Sequence, residues 1–112
     1  MLNEPLAAAP LAPAKTDQTF EAAADLFRVM SAPTRLKIIN CLCHGEQNVS
    51  YLLTQVNTTQ PNMSQHLNTL YQAGILGKRR EGVQIFYHIA DRRIVSICQA
   101  VCEDLASRTG SV

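Results

Sequence analysis

The segment that decides the fold reads Thr59-Gln60-Pro61-Asn62-Met63-Ser64-Gln65-His66-Leu67-Asn68-Thr69-Leu70. Thr59 is suited to cap a helix, and a proline at position 61 fits a first helical turn. Met63, Leu67 and Leu70 recur at helical spacing, which predicts one buried apolar stripe. The segment therefore predicts a helix that packs through these three side chains and presents its other face to the surroundings.

That outer face is unusual because its side chains are short, uncharged and able both to donate and to accept hydrogen bonds. They are Gln60, Asn62, Ser64, Gln65, Asn68 and Thr69. A solvated helix face more often carries Lys and Glu, whereas this set suits hydrogen bonding to base edges in the DNA major groove.

The positions along this face predict different contacts. Ser64 and Gln65 lie near the helix start, where a recognition helix meets the groove, and are the predicted base readers. Gln60 and Asn62 are expected to pair with adenine or to hold phosphate. The remaining two, Asn68 and Thr69, are expected to touch the DNA backbone. The neighbouring His66 is expected to pack or cap without touching a base.

A basic pair of strand-like runs follows the helix. Gly74 ends the helix, and residues 75–80 and 84–89 flank a turn that contains Gly82. Strand alternation places only some of Lys78, Arg79 and Arg80 on one face. We expect Arg79 or Arg80 to reach phosphate or the minor groove, Lys78 to add a general positive field, and Gln84 to assist. The alternative is that these cations only discourage edge pairing.

Composition bounds the class of protein. The chain has 112 residues, 46% of them hydrophobic, and a net charge of +1, which fits one small domain. Its cations are concentrated within residues 59–93, an arrangement that steers toward phosphate. A small core and the symmetry of DNA half-sites both favour a homodimer. No membrane span or signal segment is recognised, so we expect a cytoplasmic protein whose four cysteines are thiols.

The predicted order of elements is α-α-α-α-β-β-α, mainly α with a β-hairpin wing. We expect a disordered arm at residues 1–15, a winged helix-turn-helix domain at 16–108 that dimerises through its first and last helices, and a frayed tail at 109–112. Thr16 and Asp91 are the predicted caps of the first and last helices. The second helix is expected over residues 34–43 and the third over 50–56.

Three motifs resemble the ArsR/SmtB family of repressors. The first is Leu26-Phe27-Arg28-Val29-Met30-Ser31-Ala32-Pro33-Thr34-Arg35-Leu36-Lys37-Ile38. The second runs from Met63 to Leu76, and the third, Arg79-Arg80-Glu81-Gly82 followed by Tyr87, is similar to the family's wing. The match extends from about residue 22 to about residue 106. It implies a homodimeric transcriptional repressor that releases operator DNA when it senses a metal, a metalloid or an oxidised sulfur species.

The candidate sensing residues are Cys41 and Cys43 at the end of the second helix, and Cys98 and Cys102 on the last helix. Cysteine is also a good small hydrophobe, so packing is the simpler interpretation. The resemblance extends to the persulfide-sensing, BigR-like branch, whose thiols align with Asn40 and Ala106 here. A compensated shift of one turn on antiparallel helices would let Cys43 and Cys102 take their place.

Several alternatives remain open. A hard-donor zinc or nickel site is disfavoured because the last helix lacks spaced Asp and His ligands, so no metal and no cofactor is expected. Arsenite could be held by Cys98 and Cys102 with a third thiol. A repressor without any effector is another possibility, as is a small thiol enzyme that uses Cys41 or Cys43. We favour a reactive sulfur species or an oxidant as the inducer.

Overall fold

A computed structural model describes residues 14–110, so most of the predicted N-terminal arm and residues 111–112 lie outside the described part of the chain. Its helices are α1 (Asp17–Met30), α2 (Pro33–Leu42), α3 (Val49–Gln55), α4 (Gln60–Gln72) and α5 (Arg92–Gly110). Its strands are β1 (Gln47–Asn48), β2 (Leu76–Glu81) and β3 (Gln84–Ile89). The predicted winged helix-turn-helix is confirmed.

Local chemistry fixes the start of the first two helices. The Thr16 side chain accepts the backbone N–H of Thr19, and the Thr19 side chain accepts from the Thr16 backbone, a reciprocal capping box. Ser31 ends α1, where its hydroxyl donates to the carbonyl of Arg28. Pro33 then opens α2 at a position where a missing N–H costs no hydrogen bond.

The segment from α3 to α4 is the helix-turn-helix. The Thr59 side chain accepts the backbone N–H of Asn62 at 3.2 Å and caps α4, as the sequence predicts. The predicted stripe of Met63, Leu67 and Leu70 is buried, each side chain no more than 1% exposed. Gly74 has φ 80°, a left-handed conformation that favours glycine, and lets the chain turn from α4 into the wing.

The wing is part of a three-stranded antiparallel sheet of order β1-β3-β2. The structure adds one short strand, β1, to the predicted order of elements. This strand has two residues, Gln47 paired with Tyr87 and Asn48 paired with Phe86. A two-residue strand has no periodicity of its own and exists only through pairing with a distant segment, so it could not be predicted from a local pattern.

One core holds these elements together. It is formed by buried side chains of α2, α3, α4, the sheet and the start of α5, together with Met30 at the end of α1. The apolar residues of the two terminal helices behave differently. Phe20 and Phe27 on α1 are 59% and 54% exposed, and Val101 and Leu105 on α5 are 54% and 53% exposed. Both helices therefore present large apolar side chains outside the core.

We expect Thr59→Ala to lower the free energy of unfolding by about 1 kcal/mol, because the first turn of α4 loses its side-chain acceptor. For a domain of this size the thermal midpoint should fall by roughly 4–8 °C. Thr59→Ser keeps the hydroxyl and is the control. Equal thermal midpoints for the Ala variant and the wild type would contradict the capping role.

Candidate DNA-binding surface and cysteine groove

The outer face of α4 carries the predicted base readers in exposed positions. Five of the six polar side chains are exposed, and Thr69 is half-buried: Gln60, Asn62, Ser64, Gln65, Asn68 and Thr69. Because the opposite stripe is fixed in the core, the rotation of α4 about its axis is fixed as well. The helix therefore presents a set of neutral donors and acceptors in a constant orientation, as direct readout of bases requires.

His66 lies at the edge of this face and has a structural partner. The Arg35 Nε donates to His66 Nδ1 at 3.1 Å, and Arg35 Nη1 donates to the carbonyl of Val29 at 2.9 Å. Arg35 thus ties α4 to the end of α1. The expectation that His66 packs or caps without reading bases agrees with this geometry.

The three wing cations divide between the two faces of the sheet. Directly opposed residues of antiparallel strands share a face. Lys78 is opposite Tyr87 and Arg80 is opposite Ile85, so both lie on the side of the core. Arg79 is opposite Phe86 and lies on the other side, with its guanidinium 4.6 Å from the Phe86 ring centre. Lys78 is 4.4 Å from the ring centre of Tyr71 at the end of α4.

The guanidinium of Arg79 is paired with two carboxylates. Its Nε donates to both carboxylate oxygens of Glu46, at 3.0 and 3.1 Å, and its Nη1 donates to Glu81 at 3.1 Å. The hydrogen bond from Arg79 lowers the pKa of Glu46, and the same bond raises the pKa of Arg79. Among residues 14–110, Arg80 has no ion pair. Of the two predicted phosphate contacts, Arg80 can therefore bind phosphate without first breaking an ion pair, whereas Arg79 cannot.

Glu46→Gln is expected to strengthen DNA binding about threefold at low salt, because it removes one negative charge from the wing and leaves Arg79 less neutralised. The measurement is a titration of duplex DNA at several salt concentrations. Asp25→Asn is the matched control, since it removes one exposed carboxylate that pairs with Arg28 on α1. An equal effect of the two substitutions would contradict a local role for Glu46.

A groove of about 560 Å³ separates α4 from the wing. Its polar lining includes Gln60 and Ser64 from α4, Asn48 and Ser50 at the start of α3, and Gln84 from β3. The Asn48 side-chain amide donates to Gln84 Oε1 at 2.7 Å. Gln84, predicted as an assisting contact, thus lines the same groove as Ser64, a predicted base reader.

All four cysteines line a second groove, also of about 560 Å³, between α2 and α5. They are Cys41, Cys43, Cys98 and Cys102. The Cys43 thiol donates to the carbonyl of Asn40 at 3.0 Å, and Arg92 Nη2 reaches the carbonyl of Cys43 at 3.5 Å. We call this surface the cysteine groove. It brings thiols from the two helices to a common space, as the predicted sensing chemistry requires.

The four thiols are not equivalent. Burial raises the pKa of Cys41, and the nearby Cys43 raises it further. Burial likewise raises the pKa of Cys98, with a smaller contribution from Cys102. Since the thiolate is the nucleophile, the raised pKa lowers the reactivity of Cys41 and Cys98. Cys102 is exposed, and it is the most accessible of the four.

Within residues 14–110 of one chain, no three side chains from His, Cys, Asp and Glu are placed to hold a metal ion. None of the helices in the described part of the chain has the length and apolar character to span a membrane.

Comparisons with known proteins agree with this geometry. The family model described as bacterial regulatory protein, arsR family, matches residues 32–78, which run from the start of α2 into β2. An uncharacterized HTH-type transcriptional regulator of Methanocaldococcus jannaschii is 38% identical over 87 residues, 77% of this chain and 98% of that protein. A biofilm growth-associated repressor of Xylella fastidiosa is 35% identical, over 70% of this chain and 68% of that protein.

A solved structure shares the architecture. The crystal structure of the transcriptional repressor BigR from Xylella fastidiosa has a TM-score of 0.71 and 32% identity. The match covers 76% of this chain and 87% of that one. The architecture of this neighbour is the winged helix-turn-helix.

Proposed function

The chain belongs to the arsR family of bacterial regulatory proteins and is a DNA-binding transcriptional repressor; we propose that it acts as a homodimer and releases operator DNA when thiols of α2 and α5 become linked. The thiol-enzyme alternative is wrong, because the relatives are named transcriptional regulators. The observation that carries the proposal is the meeting of all four cysteines in the cysteine groove.

The homodimer is supported by the apolar side chains of the terminal helices. Phe20 and Phe27 are seven residues apart and lie on one face of α1. Val101 and Leu105 are four residues apart and lie on one face of α5. Burial of these four half-exposed side chains against a second copy would remove a large apolar area from water. Two copies related by a two-fold axis would also present two α4 helices to the two halves of an operator.

The contact with DNA is assigned to α4 and the wing. Ser64 and Gln65 read bases, Gln60 and Asn62 flank them, and the side chains further along, Asn68 and Thr69, contact the backbone. Arg80, Lys78 and Gln84 extend the contact from the wing, and Arg79 joins them when its pairing with Glu46 is broken. Neutral side chains read sequence while cations supply affinity, a division typical of protein–DNA interfaces.

The reacting pair is proposed to be Cys43 and Cys102. Each contributes a thiol from a different helix, whereas burial raises the pKa of the other two thiols, Cys41 and Cys98. With a polysulfide as oxidant, one thiolate attacks its terminal sulfur and forms a persulfide, and the remaining polysulfide leaves one sulfur shorter. The second thiolate then attacks the inner sulfur of the persulfide and expels the outer sulfur. A disulfide forms, one sulfur is reduced to hydrogen sulfide, and that molecule carries away the two thiol protons. If each thiol first becomes a persulfide, the two persulfides react to form a trisulfide between the helices and release hydrogen sulfide.

Linkage acts on DNA binding through the position of α2. Cys43 lies at the end of α2, and the following residues Glu46 and Asn48 contact the wing. A covalent bond to α5 would shift this segment and change the angle between the wing and α4. A difference of about 1–3 kcal/mol between linked and reduced states is sufficient for derepression.

The proposal is tested by titrating duplex DNA, selected by the reduced protein from a randomised library, after treatment with polysulfide, peroxide, arsenite or zinc. Intact mass is measured on each sample. Release with loss of two hydrogens, with or without added sulfur atoms, supports thiol linkage. Release by arsenite without a covalent change supports the metalloid alternative, and release by none of the four treatments supports an effector-independent repressor. Either of the last two results contradicts the proposal.

A further inference from the structure

Two side-chain amides connect the start of α3 with the wing. We propose that Asn48 is a positioning residue, which fixes the amide of Gln84 so that Gln84 turns its N–H donors, and not its carbonyl oxygen, towards duplex DNA. The inference rests on the proposed function, because it assigns atoms to the contact between wing and DNA.

The orientation of the Asn48 amide is fixed by the helix that it caps. Its Oδ1 accepts the backbone N–H of Tyr51 at 2.8 Å, as the N-cap of α3. A rotated amide would set its NH₂ group against this N–H, placing two donors face to face. The oxygen is therefore committed to the helix, and Nδ2 is the atom left to face the wing.

The orientation of Gln84 follows from that of Asn48. The Asn48 Nδ2 donates to Gln84 Oε1 at 2.7 Å, so the Gln84 carbonyl faces inward and Nε2 faces away. If the Gln84 amide were flipped, its Nε2 donor would face the Asn48 Nδ2 donor, and no hydrogen bond could form. Within residues 14–110, Gln84 Nε2 has no hydrogen-bond acceptor. Two N–H donors are thus available to a bound ligand, and their direction is set by a chain of two hydrogen bonds.

The available donors lie where a DNA strand would present acceptors. Asn48, Gln84 and Ser64 line the same groove between α4 and the wing. Phosphate oxygens are acceptors only, and so are adenine N3 and thymine O2 in the minor groove. Pairing of Asn48 with Phe86 across β1 and β3 holds Asn48 beside the wing before DNA binds. The donor is therefore preorganised, which lowers the entropy lost on binding.

A double-mutant cycle tests this role. Asn48→Ser keeps the N-cap and the charge, because Ser caps helices as well as Asn does, but its short hydroxyl does not reach Gln84. Gln84→Ala removes the donor. We expect Gln84→Ala to weaken binding to the selected duplex about tenfold and Asn48→Ser about threefold. In the Gln84→Ala background, Asn48→Ser should have no further effect, and thermal unfolding should confirm that Asn48→Ser keeps wild-type stability.

Each outcome has a defined meaning. No loss from Asn48→Ser, or a loss that persists in the Gln84→Ala background, would overturn the inference. The Ser64→Ala/Gln65→Ala variant is measured on the same duplex as a control. If this variant keeps wild-type affinity, the proposed DNA contact of α4 has failed as well. If it loses affinity, only the role of Asn48 has failed. A loss that is the same on all duplexes identifies phosphate as the acceptor. A loss confined to duplexes with A·T pairs beneath the wing identifies the minor groove.

Discussion

Replacing both Ser64 and Gln65 with Ala is expected to weaken binding to the selected duplex by about a hundredfold or more. Each well-made side-chain contact to a base contributes about 1–3 kcal/mol of discrimination, and the double variant removes two such contacts from each protomer. Both side chains are exposed on α4, so their truncation leaves the core intact. The remaining affinity should resemble that for unrelated DNA, because the wing cations are unchanged.

The measurement is a fluorescence titration of the selected duplex and of a scrambled duplex. Gln72→Ala, an exposed position at the end of the same helix, is the matched control. The variant should lose affinity for the selected duplex and keep its affinity for the scrambled one. Unchanged selectivity in a folded double variant would remove α4 from the recognition of bases.

Replacing both Cys43 and Cys102 with Ser is expected to abolish release of DNA by polysulfide. The wild-type protein should lose about tenfold or more in affinity on treatment, a factor within the usual range for coupled sites. The variant should change less than about twofold, because no covalent bond between α2 and α5 can form. Its affinity in the reduced state should match the wild type, since serine preserves the size of each side chain.

The Cys41→Ser/Cys98→Ser variant is the matched control for this experiment. It removes the same number of thiols from the same groove, one from each helix. Burial raises the pKa of both residues, so they are expected to be bystanders, and the response should survive. A response lost in this control and kept in the Cys43/Cys102 variant would assign the reaction to the more buried pair.

Much of the fold could be predicted because its signals are local. The cap at Thr59, the buried stripe of α4 and the glycine that ends this helix are within one segment, and the structure confirms them. Local signals also place the first and last helices correctly. Helix propensity and periodicity act over a few residues, so a single sequence is sufficient to recognise them.

The parts that could not be predicted depend on residues far apart in the chain. β1 exists because Asn48 pairs with Phe86, and its side chain is joined to Gln84. Glu46 neutralises Arg79, a residue 33 positions away, so one of the two predicted phosphate contacts is already paired. Arg35 is hydrogen-bonded to His66, a residue 31 positions away. No local pattern reports such partners.

The candidate site shows the same division. The exposed face of α4 follows directly from the position of its buried stripe, so its residues were accessible to sequence reasoning. The role of Asn48 at the wing could not be predicted, because its sequence context indicates only a residue suited to cap a helix. Its second hydrogen bond becomes visible when the wing is placed beside it. The available signal was a helix-cap residue whose side chain has a second, unused donor and which lies near a predicted hairpin.

The most direct test of the account is methylation interference on the selected duplex with the reduced wild-type protein and the Ser64→Ala/Gln65→Ala variant. Methyl groups on guanine N7 lie in the major groove, where α4 is placed. The account predicts interference at guanines in two half-sites separated by about one helical turn or a multiple of it, and its loss in the variant. Binding by the wild-type protein that tolerates methylation at every major-groove position would contradict the account.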